Sequence, residues 1–126
     1  GGRPVALLAV QATRAGHLAA VDAALMLATA TYVPVDSAYE LQMADHLVRA
    51  GRSFVKPLRY EGGAVLPDFV LLDTDPHTCV EVYGIHGDAD YDRRKQEKRA
   101  YYHANGIPLI EWDVGGPLPR LGAARA

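Results

Sequence analysis

Apolar residues run without interruption from Val5 to Val10 in VALLAV, too short for a helix of its own and continuous in the manner of a buried strand. The next stretch, HLAAVDAALMLATATYVPV, carries two signals: alanine and leucine favour helix, whereas TATYVPV favours strand. A helix or a second strand early, and an extended segment late, both fit. Pro34 stops a helix from continuing, because the residue before a proline is pushed toward extended geometry. From Ser37 to Ala50 the period changes. Leu41, Ala44, Leu47 and Val48 fall on one face of an amphipathic helix, and Gly51 supplies its stop. Beyond it, RSFVKPLRY reads as a strand ending near Tyr60, EGG as a turn, AVLPDFVLL as a strand, DTDPH as a tight turn and TCVEVYG as the antiparallel partner. A charged helix over residues 91–104 closes at Asn105-Gly106, and IPLIEWDV is a last strand. The tail GGPLPRLGAARA has too few large apolar residues to build an element and is expected to be loose.

This order predicts an α/β (α+β) fold with a mixed central sheet flanked by helices. Residues 1–35 read as an N-terminal extension, 36–114 as the core and 115–126 as the tail of one domain. At 126 residues, 49% of them apolar, the chain suffices for one core. Gly1-Gly2 has the look of added residues, and a strand opening so early suits a domain cut from a longer chain.

A net charge of −2 leaves no global polycation to bind nucleic acid or membrane by charge alone, so any such contact must be local. The single cysteine, Cys79, excludes an internal disulfide and a multi-cysteine zinc site, and fits a reducing cytoplasm. No apolar stretch approaches the roughly 20 residues that span a bilayer, and no signal peptide is visible, so the expectation is a cytoplasmic protein with no membrane partner.

Within the predicted hairpin, Asp68 and Glu81 lie on adjacent strands and can come within reach of one cation. Such oxygen ligands suit Mg²⁺, with Mn²⁺ as a substitute, because Mg²⁺ takes one or two protein carboxylates and completes its shell with water and phosphate oxygens. The ion polarises a phosphoryl group and lowers the pKa of bound water, and a lysine alongside stabilises the charge that builds up. Two acids and a lysine make a minimal phosphodiester-cleaving set. In TCVEVYG, Glu81 shares a face with Cys79 and Tyr83; if that face is buried, an unpaired carboxylate is costly there and a cation removes the problem. If the face is exposed, nothing needs explaining, and Asp68 alone reads as an ordinary strand residue.

Pro67-Asp68 followed by Glu81-Val82-Tyr83 resembles the PD-(D/E)xK nuclease superfamily. The resemblance implies a restriction-endonuclease-like fold and metal-dependent hydrolysis of DNA, or less readily RNA. The superfamily places a lysine two residues after the second acid, and here that position is Tyr83. In some members the lysine has moved to the following helix, and YDRRKQEKRAYYHANGIPLIEW is similar to that arrangement. Tyr91, Lys95, Lys98 and Tyr102 share one helical face. Lys95 and Lys98 differ by only about 4.5 Å along the axis, less than a lysine stem spans. Lys98 is preferred because its spacing to Ile107 resembles that in related nuclease-like domains, with Lys95 second.

The superfamily also often carries an acid on its first core helix near the metal, and Glu40 matches in placement. Ser37 to Glu40 is equally a capping box, and the two roles are compatible. Over residues 34–114, VPVDSAYE, RSFVKPLRY, PDFVLLDT, EVYG and the Tyr91–Arg94–Lys98 pattern together resemble the C-terminal segment of an uncharacterised family carried on bacterial plasmids and integrative elements. That implies a mobile-element context and names no substrate.

Arg93, Arg94 and Arg99 crowd the second helix and, with Lys56 and Arg59, form a candidate phosphate-facing patch, against which stands the ordinary reading of a solvated charged face. His86 is a candidate substrate contact, while His77 reads as a loop bystander. Tyr83 and Tyr91 either hold phosphate through their hydroxyls or simply pack. An inactive nuclease-like binding or assembly module is the alternative to an enzyme, and a homodimer would supply grip on DNA that one small domain lacks.

Overall fold

The computed structural model describes residues 2–28, 34–35, 37–57, 65–84 and 87–122. Tyr60 and the EGG turn, Arg59 and His86 lie outside them. The ambiguous early segment is strand: β1 (Arg3–Ala12) and β2 (Leu18–Ala28) form a long antiparallel hairpin, and β3 (Pro34–Val35) adds to the outer side of β2. Pairing along the whole length of both strands outweighs the helix propensity of alanine and leucine, a preference of only tenths of a kcal/mol per residue. Pro34 is tolerated because β3 pairs on one side only. VALLAV is a strand, as its continuity suggests, but it is an edge and not a buried one, with Leu8 and Val10 more than half exposed.

α1 (Ala38–Arg49) starts where the Ser37 hydroxyl accepts the Glu40 N–H at 3.1 Å. It ends with Gly51 at φ 67°, Arg52 N–H donating to Leu47 O and Gly51 N–H to Val48 O, a closure that satisfies two carbonyls the helix leaves open. Its buried face is Glu40, Met43, Ala44 and Leu47, so the apolar stripe is rotated from the one expected: Val48 is exposed and a carboxylate lies on the inner side.

The second sheet has the order β4 (Phe54–Val55), β5 (Phe69–Leu71), β6 (Thr78–Tyr83), β7 (Leu109–Asp113). The first three are antiparallel, and β7 lies parallel to β6, with α2 (Ala89–Ala104) as the crossover between them. This is the mixed sheet with flanking helices that the sequence predicts, although β4 and β5 are shorter than their apolar runs. α2 begins on the Asp88 carboxylate, which accepts the Asp90 and Tyr91 N–H groups, and closes at Gly106 with the same pair of backbone bonds that ends α1.

Side chains of β6 alternate between two covered faces. Val80 joins Met43, Ala44, Leu47, Phe69, Leu71 and Trp112 in the core under α1. Glu81 and Tyr83 face the other way, beneath α2. The tail is not loose over residues 115–122, which corrects the expectation. Leu118 and Leu121 pack on the core, His46 Nε2 bonds Pro119 O at 2.7 Å, and Arg52 Nη1 donates to Leu121 O. Arg52 also forms a two-pronged ion pair with Asp73, at 2.8 and 2.7 Å. Two leucines and two cationic anchors hold a segment whose composition gave no regular element.

Candidate active site

The hairpin register places the two acids. Phe69 pairs with Val80, so Asp68, one residue earlier on its strand, comes opposite Glu81, one residue later on the next. Asp68 is fixed by accepting the Val82 N–H through Oδ2 at 2.8 Å. Glu81 is 1% exposed. Across the loop, α2 brings Lys98 back to it: the Lys98 ammonium lies 2.9 Å from Oε2 and 3.1 Å from Oε1, and 3.3 Å from Leu66 O. Tyr102, one turn further along α2, donates its hydroxyl to Glu81 Oε1 at 2.6 Å. A cleft of about 260 Å³ opens beside this pair, lined by Asp68, Glu81, Tyr83, Tyr91, Arg94, Lys95 and Lys98.

The same positions lie within a family match: residues 4–115 match the family described as "Protein of unknown function (DUF1173)". The chain belongs to the DUF1173 family. No curated protein and no solved structure matches it. In this DUF1173 chain the choice between lysines is made by the position of α2. Lys98 reaches Glu81, whereas Lys95 bonds Asp113 at 2.5 Å and sits 4.3 Å above the Tyr83 ring. Tyr83, standing where the nuclease pattern has lysine, therefore lies under a lysine from the helix, and its hydroxyl is buried with no partner among the described residues. Tyr91 accepts the Gly84 N–H at 3.2 Å, which ties the loop after β6 to α2.

Electrostatics of the site follow from this burial. The Glu81 carboxyl is pushed up to about 7 by removal from water and by the neighbouring Asp68 charge, against the Tyr102 and Lys98 bonds that favour its ionised form. Tyr102 and Tyr83 are both raised well above the ordinary phenol range, mainly by burial, so both stay protonated, and Tyr102 donates to Glu81.

Glu40 and Lys56 need correction as direct participants. The Lys56 ammonium is almost fully buried and paired with the Glu40 carboxylate, and it also donates to Asp68 O at 3.3 Å. A buried, paired lysine cannot face a phosphate backbone, so Lys56 leaves the nucleic-acid set. Glu40 is linked to the Asp68 carbonyl through Lys56, and its Ser37 cap is present as well. Among the described residues no three of His, Cys, Asp and Glu gather to hold a metal, and the two acids that line the cleft are Asp68 and Glu81.

Of the basic residues on α2, Arg99 pairs with Glu111 at 3.1 Å and Arg93 with Asp90 at 3.4 Å. Arg94 is exposed and lines the cleft. Sequence reasoning missed Tyr102 as a partner of Glu81, and Glu111 and Asp113 as anchors for α2. The signals were present: Tyr102 shares the Lys98 face one turn on, and Glu111 and Asp113 alternate along β7 on the α2 side. No helix among the described residues is long and apolar enough to cross a membrane.

Proposed function

We propose that the chain is a metal-dependent nuclease of the PD-(D/E)xK kind, hydrolysing phosphodiester bonds in DNA ahead of RNA. The observation that carries this reading is the seat of Lys98 on Glu81, beside Asp68, in an open cleft: the helix-borne lysine meets the second acid although Tyr83 occupies the usual lysine position. A nuclease-like origin within the DUF1173 family is part of the proposal.

The donor set fits Mg²⁺. Two carboxylates opposed across a hairpin, one of them buried, repel each other, and a hard dication with two protein oxygens and several waters relieves that repulsion. Asp68 and Glu81 would hold it, and when bound it supplies a polarised phosphoryl oxygen and a hydroxide at neutral pH. The chain's own groups do the remainder. Tyr102 keeps Glu81 in place, Arg94 offers a guanidinium to a backbone phosphate at the cleft mouth, and Lys98 stabilises charge on the phosphate. Lys56, paired with Glu40, holds the backbone carbonyl of Asp68. A bacterial cytoplasmic setting on a mobile element, and a homodimer to widen the DNA grip, belong to the same reading.

The engagement of Lys95 and Arg99 by β7 acids favours a second reading, in which α2 has become a structural clasp and the domain binds without cleaving. Plasmid, linear and single-stranded DNA and RNA, incubated with Mg²⁺, Mn²⁺ or EDTA, separate the two. Cleavage that needs metal and is abolished in Glu81→Ala and Lys98→Ala is expected. Retention or shift of nucleic acid without cleavage supports the binding module, and cleavage unchanged in EDTA or in either variant overturns the mechanism.

A further inference from the structure

An ammonium has three N–H donors and no acceptor. In Lys98 the acceptors within reach number the same: Glu81 Oε1 at 3.1 Å, Glu81 Oε2 at 2.9 Å and Leu66 O at 3.3 Å. Seated there, Lys98 has no donor left for a substrate phosphate. It also straddles both oxygens of the carboxylate that the metal reading requires as a ligand, and a dication on those oxygens would stand within a few ångströms of the ammonium and repel it. Glu81 Oε1 accepts Tyr102 as well, so Glu81 stays anchored from its buried side if Lys98 leaves.

Lys98 is free to leave. Its side chain is 32% exposed against 1% for Glu81, and it already lines the cleft, so rotation about its four-carbon stem moves the charge without moving α2.

We infer that Lys98 and a divalent cation are mutually exclusive on Glu81: Lys98 is the resident counter-ion of the acid pair, and it releases Glu81 and turns into the cleft when the cation is taken up. This rests on the metal-site reading of the preceding subsection and adds a regulatory consequence. Lys98 meets substrate phosphate only in the metal-loaded protein, so in the metal-free site the lysine is held on Glu81 and withheld from substrate. It also inverts the usual expectation for a lysine in an active site, because removing Lys98 should weaken catalysis and strengthen metal binding.

The test is Mn²⁺ binding to the whole chain without nucleic acid, followed by the electron paramagnetic resonance signal of free Mn²⁺ at low salt. Lys98→Met removes the cation seated on Glu81 and should bind about tenfold tighter than wild type, the effect expected of one neighbouring unit charge. Lys98→Arg, which keeps the charge, should stay near wild type, and Glu81→Gln should lose the site. A second measurement needs no variant: the rate at which an amine-acylating reagent labels Lys98, read by mass spectrometry of the peptide, should rise on adding Mn²⁺. Binding by Lys98→Met no tighter than wild type, binding by Lys98→Arg as tight as Lys98→Met, or labelling that Mn²⁺ leaves unchanged overturns the inference. Tighter binding by Lys98→Met in a protein that cleaves no nucleic acid upholds it while removing the nuclease reading.

Discussion

Glu81 is a destabilising residue at neutral pH, and Glu81→Gln exposes the cost. Burial and the Asp68 charge raise its carboxyl from 4.5 to about 7. Between those values the folded chain holds a proton that the unfolded chain has released. By proton linkage, stability is greatest below the unfolded value and falls as pH rises through the folded one. A shift of this size, at 1.36 kcal/mol per unit, amounts to roughly 3 kcal/mol lost above neutrality. Glutamine keeps the shape and an acceptor for Tyr102 but cannot ionise. Urea unfolding in EDTA should therefore find the two proteins similar near pH 5 and the variant more stable near pH 8. With a urea slope of about 1–3 kcal/mol/M, the added gap in midpoint is about 1–3 M. Added Mg²⁺ should narrow the gap by stabilising wild type alone. An offset between the two proteins that is the same at both pH values, or a variant less stable near pH 8, would refute the account of Glu81 as a buried acid strained by its neighbour.

Tyr102→Phe removes a donor that favours ionised Glu81, so the acidic limb of any metal-dependent cleavage profile should move to higher pH, with the limb unmoved if Tyr102 merely packs. Leu47→Ala, at a fully buried position between α1 and the sheet, should cost about 2–5 kcal/mol in chemical denaturation without altering Mn²⁺ affinity. Asp73, held far below the ordinary carboxylate range by its Arg52 bonds and then by the Ser53 N–H, stabilises the fold above that range, and the contribution fades as pH falls through the folded value. The stability difference between wild type and Asp73→Asn should accordingly shrink on acidification from about pH 5 to about pH 2, and a constant difference would show that the ion pair is not its source.

Helix ends were legible because their causes are local. Ser37 caps α1, Gly51 and Gly106 adopt the positive φ that closes each helix, and these choices depend on a few adjacent residues. The antiparallel placement of Asp68 against Glu81 was legible for the same reason: a short turn between two strands sets their register. The early segment was not legible, since its strand state rests on a partner strand and not on its own preferences. Charge misled where pairing decided the outcome. Lys56 has the composition of a phosphate contact, yet it folds inward onto Glu40, a residue sixteen positions away.

The sequence by itself determined which groups could do chemistry: two acids in a hairpin, and two lysines on one face of the helix that follows. Only the tertiary structure decided between the lysines, because their axial separation is smaller than the reach of either side chain. The packing of α2 on the sheet made the choice, with Asp113 taking Lys95, Glu111 taking Arg99, and Lys98 left over Glu81. The same packing removed Glu81 from water, and that turned an ordinary glutamate into an acid that needs a positive charge beside it.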